Sequence, residues 1–122
     1  MIHKITIPGE LPTLNEIISA SKQHWGQYSS MKKDWTDDIA LLAKTTLPKL
    51  EPPINLRFTW YRRNRRVDPD NIAAAGAKLI IDGLVESDRI PNDGWKEIAS
   101  ISHEFEVDRS DPRVEVELWL EN

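Results

Sequence analysis

Asp70-Asn71-Ile72-Ala73-Ala74-Ala75-Gly76-Ala77-Lys78-Leu79-Ile80-Ile81-Asp82-Gly83-Leu84-Val85-Glu86 can be read in two ways, and the fold turns on the choice. As a hairpin, Lys78–Ile81 and Leu84-Val85 flank an Asp82-Gly83 turn, a dipeptide suited to the positive φ angles of a two-residue loop. As a helix, the stretch is rich in alanine, the residue that loses least on entering one, and Asp70 offers an N-cap oxygen. The helical reading accounts for more residues and predicts a helix from about Asn71 to Ser87. Steps of three and four then place Asn71, Ala75, Lys78 and Asp82 on one stripe, with Ala73, Ala77, Ile80 and Leu84 on the apolar side.

Upstream, Ile54, Leu56, Phe58 and Trp60 alternate with Asn55, Arg57 and Thr59, which predicts a half-buried strand over Ile54–Tyr61. Arg62–Val67 then reads as a loop. Earlier still, Trp35, Ile39, Leu42 and Ala43 recur at helical spacing, predicting a helix from Ser29 or Ser30 to about Leu47, stopped by Pro48. Ile2–Ile7 reads as a first strand ended by Pro8-Gly9, and Pro12–Asn15 opens a short irregular or helical piece. Downstream of the central stretch comes an Ile90–Gly94 loop, then two strands, Trp95–Val107 and Val114–Leu120. The order strand, helix, strand, helix, strand, strand predicts one α+β domain over residues 1–122, with a small mixed or partly antiparallel sheet and two main helices. A chain of 122 residues supports only a modest core, so a homodimer is expected.

Cysteine is absent, which excludes disulfides, thiolate catalysis and cysteine-based zinc sites. Met1–Ile7 alternates like a strand and lacks the apolar block of a signal peptide. No run is apolar enough to span a membrane, so a cytoplasmic protein without a membrane partner is the expectation. Net charge is −4, but it is unevenly spread: residues 1–81 carry twelve Lys/Arg against eight Asp/Glu, and residues 82–122 four against twelve. Five of the eight arginines lie between Arg57 and Arg66. Such a local patch can hold phosphates on an acidic protein, because exposed charges act within a Debye length of about 10 Å. A solvated charged loop is the plain alternative.

The sharpest local feature is Arg62-Arg63-Asn64-Arg65-Arg66-Val67-Asp68-Pro69-Asp70-Asn71. Two carboxylates flank a proline between a strand and a helix, behind four arginines. Hard divalent cations favour such oxygen donors, completed by water and substrate phosphate, and phosphodiester hydrolysis uses the metal to activate water and neutralise developing charge. A calcium-binding EF-hand loop is excluded, since its fifth and sixth positions would be Ile72 and Ala73. The alternative is structural, with Asp68 and Asp70 serving as turn and cap and the arginines pairing them. A third acid, Asp93, stands in the turn-like Ile90-Pro91-Asn92-Asp93-Gly94, and nothing local brings it to the first two.

Taken together, Asp68-Pro69-Asp70-Asn71, Lys78, Asp82-Gly83-Leu84 and Ile90-Pro91-Asn92-Asp93 resemble the RusA family of Holliday-junction resolvases. Ile5-Thr6-Ile7-Pro8 and Pro12-Thr13-Leu14-Asn15 resemble the way that family begins, so the likeness spans essentially the whole chain. The resemblance implies a homodimeric endonuclease that nicks two strands of a four-way DNA junction symmetrically, using Mg²⁺ or Mn²⁺ and no organic cofactor. It assigns the metal to Asp68, Asp70 and Asp93 and a catalytic role to Lys78. Asn92 stands where many members carry another aspartate, which weakens the case for two full metals. The family's lysine lies four residues after the second aspartate in some members, here Ala74, and eight after in others, here Lys78. Helical Cβ atoms lean towards the N-terminus, so Lys78 is expected to point back at the carboxylates; an exposed Lys78–Asp82 pair is the alternative. Asn71 and Asn92 are expected to support the metal ligands.

Arg62, Arg63, Arg65 and Arg66 are the expected DNA-binding residues, joined by Lys32 and Lys33. Lys22, His24 and Tyr28 are weaker candidates, with Tyr28 or Trp25 available to stack on an unpaired base. His3, His24 and His103 have no metal-ligand spacing. The five tryptophans are expected to be mostly core, with Trp119, out of phase with its strand, kept for a dimer contact. Two other readings stay open: a non-catalytic protein that binds branched DNA, and a nuclease for flaps and similar replication structures.

Overall fold

Pro69–Glu86 is an α-helix in the computed structural model of the chain, which describes residues 1–23 and 25–121. In chain order the elements are β1 (His3–Pro8), α1 (Leu14–Gln23), α2 (Trp25–Thr46), β2 (Ile54–Arg62), α3 (Pro69–Glu86), β3 (Ile98–Val107) and β4 (Arg113–Leu120). The domain is α+β, with three helices among the described residues: the two main ones expected, α2 and α3, and the shorter α1. α1 begins at a capping box: Thr13 Oγ1 accepts from Glu16 N at 3.2 Å, and Glu16 Oε1 accepts from Thr13 N at 3.2 Å.

Gly83 shows why Asp82-Gly83 is not a turn. A Cβ there would stand 2.6 Å from Ile39 Cγ2 and 2.9 Å from Ile39 Cβ, so the glycine lets α3 pack directly on α2. Gly76 does the same towards the sheet, where a Cβ would meet Trp60 Cη2 at 2.7 Å. The buried face of α3 is broader than expected. Ile80 and Leu84 are fully buried, Ala73 and Ala77 are half-buried, and Ile72, Leu79, Ile81 and Ala75 join them. Ala75 therefore leaves the polar stripe, which narrows to Asn71, Lys78 and Asp82. The chain reverses after α3 through a Schellman-type end: Arg89 N donates to Leu84 O at 3.0 Å and Asp88 N to Val85 O at 3.0 Å, with Asp88 at φ 60°.

The four strands form one mixed sheet in the order β1-β4-β2-β3. β4 pairs antiparallel with both β1 and β2, while β2 and β3 run parallel. β2 is consequently interior, and its expected half-burial is corrected: Asn55 and Thr59, on the face away from the helices, are buried as well as Ile54, Leu56, Phe58 and Trp60. The parallel pair makes β2, α3 and β3 a crossover unit. It places the N-terminus of α3 beside the carboxyl ends of β2 and β3, where Arg62 lies level with Val107. The loop following α3 lies at the opposite end, where Ile54 N donates to Glu97 O at 2.8 Å.

The tryptophans divide differently from the expectation. Trp60 is buried and Trp35 packs half-buried against the core, but Trp25 is 68% exposed and Trp95 100% exposed. Trp119 lies half-buried under the Arg57 guanidinium, whose carbon is 5.6 Å from the ring centroid. Arg57 in turn holds Glu117 with two hydrogen bonds at 3.0 Å, which removes it from the basic cluster downstream.

His103, on the exposed edge strand β3, accepts a hydrogen bond at Nδ1 from Trp60 Nε1 at 2.9 Å. That bond requires an unprotonated Nδ1, so the neutral ring carries its proton on Nε2. Burial pushes the His103 pKa down for the same reason, since charge is disfavoured there. The unfolded chain then binds the proton more readily than the folded one, and stability falls as pH drops below the ordinary imidazole value of about 6.5. Urea midpoints measured at pH 7.5 and 5.5 are expected to fall in the wild type and to fall less in His103→Gln, which keeps an acceptor without titrating. Equal pH dependence in the two proteins would contradict this role.

Candidate metal and nucleic-acid site at the mouth of α3

Asp68 occupies the N-cap of α3, with φ −66° and ψ 145°, and Pro69 follows in the first turn, where its missing N–H costs nothing. The capping is done by the backbone. Asp68 O accepts from Asn71 N at 3.1 Å and from Ile72 N at 3.2 Å, while the Asp68 side chain makes no capping bond. Among the described residues Asp70 Oδ1 accepts only from the neighbouring Asn71 N, at 2.9 Å. Both residues are exposed. Of the structural alternative, the cap is present, at Asp68, whereas among the described residues no ion pair joins the arginines to Asp68 or Asp70. Arg62 and Arg63 pair instead with Glu10, at 3.5 and 2.9 Å, and Arg63 N also donates to Glu10 at 2.9 Å.

Asn71 has a positioning role. Its Oδ1 accepts from Asn15 N at 2.9 Å, tying the first turn of α1 to the first turn of α3. Two motifs far apart in sequence, Pro12–Asn15 and Asp68–Asn71, thus meet at one place.

Lys78 does not reach back. Its Nζ lies 2.9 Å from Asp82 Oδ1, one turn towards the C-terminus, and 3.5 Å from Asp93 Oδ2. The hydrogen bond with Asp82 chiefly raises the Lys78 pKa; burial opposes the rise and Asp93 adds to it. Lys78 is therefore an ammonium at neutral pH, able to supply charge and donors but not to act as a base. Asn92 Oδ1 accepts from Asp93 N at 2.9 Å and shapes the turn that presents Asp93.

The expected three-aspartate set is only partly assembled. Eight residues separate Asp70 from Lys78, about 12 Å along the helix axis, and Asp93 stands with Lys78 rather than with Asp68 and Asp70. Among the described residues no three His, Asp or Glu side chains gather as a cation site. The Asp68–Asp70 pair by itself suits Mg²⁺, which takes one or two protein carboxylates and leaves its remaining positions to water and phosphate.

The basic surface is larger than the arginine loop. Asp108 N donates to Arg62 O at 2.8 Å, so the turn after β3 lies against the end of β2 and brings Arg109 to the loop. A shallow cleft of about 740 Å³ is lined by Arg63, Asn64, Arg65, Arg66, Val107 and Arg109. Arg109 went unseen in the sequence because only the parallel β2/β3 pairing carries it there. Lys33 is engaged elsewhere, 2.6 Å from Asp37, with Glu86 at the far end of α3 also raising its pKa. Lys32 is half-buried on α2. Trp25 and Tyr28 lie with ring centroids 5.3 Å apart at the start of α2, and His24 falls outside the described residues. Trp95, two residues past Asp93, is a further exposed aromatic that the sequence had not singled out.

No protein-family model and no curated protein matches this chain. Among the described residues no helix is long and apolar enough to cross a membrane.

Proposed function

We propose that the chain is a Mg²⁺-dependent endonuclease of RusA type, acting in the cytoplasm as a homodimer on branched DNA, chiefly four-way junctions. The observation that carries the reading is the pair of carboxylates at the mouth of α3, Asp68 without a capping bond and Asp70 with only a local one, beside an edge of arginines. Asp68 and Asp70 would hold the metal, and Mn²⁺ would substitute for it. When bound, it activates water and neutralises charge on the phosphate. Arg65, Arg66 and Arg109 bind the sugar–phosphate backbone, and Asn71 keeps the helix mouth in register with α1. Lys78, an ammonium with a 61% exposed side chain, can exchange Asp93 for a phosphate oxygen. A two-fold dimer would offer two equivalent sites to two related strands.

A non-catalytic DNA-binding protein is the second reading, favoured by the placement of Asp93 beside Lys78 and away from the other two acids. Incubation with labelled junction across a Mg²⁺ range separates the two, since a binder retards the junction without cutting it.

The arginines make a prediction that holds under either reading. Replacing Arg65 and Arg66 together by alanine is expected to weaken binding to every DNA and to flatten the slope of log affinity against log salt by up to about two units. Replacing Arg62 and Arg63 is expected to do less, because Glu10 already answers their charge. Salt titrations of both double variants check this, and a greater loss of slope in the second would reverse the assignment.

A further inference from the structure

A cleft of about 360 Å³ opens between the start of α3 and the carboxyl ends of β2 and β3. Its apolar lining is Val67, Pro69, Ile72, Phe105 and Val107. Its polar lining is Arg62, Asn64, Arg65, Asp68 and Glu106. Phe105 lies on the helix side of the edge strand, level with the buried Trp60. It continues a series of rings in which His103 is stacked against Phe58, Trp60 and Phe105. Phe105 is nevertheless 38% exposed, because β3 is the sheet edge and no strand lies beyond it. The result is a partly exposed aromatic ring in the lining of a cleft that Asp68, one of the proposed metal pair, also lines.

We infer that this cleft receives a single unpaired nucleobase, stacked on Phe105, while Arg65 and the neighbouring arginines hold the adjoining phosphates. This rests on the reading of the arginine edge as a DNA-binding surface. Charge and size select the occupant. The volume lies at the low end of the roughly 300–1,000 Å³ of small-molecule pockets, which suits one nucleotide rather than a large organic cofactor. The lining joins an apolar, aromatic surface to Arg62 and Arg65, which suits a neutral base against Phe105 with its phosphates held by the arginines. An intact duplex keeps its bases stacked and paired, whereas a branch point has bases that can leave the stack at lower cost. The cleft therefore supplies a structural preference for branched over linear DNA without reading sequence.

The test uses two DNA duplexes identical except at one bulged position, which carries either an unpaired adenine or an abasic residue. Both are titrated with the whole protein in EDTA, so that no metal contributes. Wild type is expected to bind the adenine bulge about tenfold more tightly than the abasic one, in line with base–aromatic stacking. Phe105→Ala should bring the two affinities together, with little change for abasic DNA. Phe105→Leu keeps the apolar strand face but not the ring, and should show the same loss of preference with native circular dichroism and melting temperature. A wild-type protein that binds both DNAs equally, yet cuts junctions in Mg²⁺, overturns the base pocket alone. A protein that binds neither DNA overturns the DNA-binding reading and the pocket with it. Retained preference in folded Phe105→Leu assigns the discrimination elsewhere and also overturns the proposal.

Discussion

Asp70→Asn is expected to lower single-turnover cleavage of a four-way junction by at least about a hundredfold, equivalent to about 2.7 kcal/mol of barrier, while junction affinity stays the same or rises. The substitution is nearly isosteric. Its Oδ1 can still accept from Asn71 N, the partner of the Asp70 side chain among the described residues, so the start of α3 and its tie to Asn15 should survive. What disappears is one negative charge from a pair proposed to hold Mg²⁺. Removing an anion near the phosphates relieves repulsion, which is why binding should not suffer. Asp82→Asn is the control: it touches Lys78 but lies three turns along α3, and its effect on the metal dependence should be small. Filter binding in EDTA and cleavage in Mg²⁺ separate the two quantities. Wild-type cleavage by Asp70→Asn would remove the helix mouth from the mechanism.

Gly83→Ala is expected to destabilise the fold by about 1–3 kcal/mol, the usual cost of forcing an extra methyl into a filled contact. On helix propensity alone the change should stabilise by about 1 kcal/mol, so packing and propensity predict opposite signs. Packing wins because the obstacles are Ile39 Cβ at 2.9 Å and the Ala40 backbone nitrogen at 3.3 Å, neither of them the free end of a flexible chain. Gly26→Ala provides the contrast. It lies in the first turn of α2 with nothing among the described residues within 4 Å of the added carbon, and should be neutral or slightly stabilising. Urea denaturation of the two variants beside wild type gives the comparison. A Gly83→Ala protein as stable as wild type would mean that α2 and α3 do not cross as described.

The long patterned elements were legible because their periodicity is local. Ile54–Trp60 alternates and Trp35–Ala43 repeats at helical spacing, and both became core-facing elements. α3 was legible in outline, but its glycines were ambiguous, since the contact that explains Gly83 belongs to Ile39, forty-four residues earlier in the chain. The start of α2 was missed by several residues because Gly26, Gln27 and the serines carry no apolar stripe. α1 was legible only as a short irregular or helical piece opening at Pro12–Asn15, since none of its residues is deeply buried. Strand order could not be read at all. That β3 returns parallel to β2, and that β4 inserts between β1 and β2, follows from tertiary pairing.

The site divides along the same line. Asp68 and Asp70 are neighbours in sequence, so their position at a helix mouth could be anticipated. The Glu10 that pairs Arg62 and Arg63, the Arg109 that extends the basic edge and the Asn15 held by Asn71 all come from distant segments. Asp93 is the clearest case. The eighteen residues of α3 carry the chain away from Asp68, and the loop that follows meets Lys78 partway along rather than the acids at the start.

The most direct measurement is the fate of a 5′-labelled four-way junction incubated with the wild-type protein in EDTA, then in increasing Mg²⁺. The account predicts retardation without cleavage in EDTA, followed by paired, symmetry-related nicks that grow with metal concentration and are absent from linear duplex of the same sequence. A junction that is bound but remains uncut at every Mg²⁺ and Mn²⁺ concentration would contradict it.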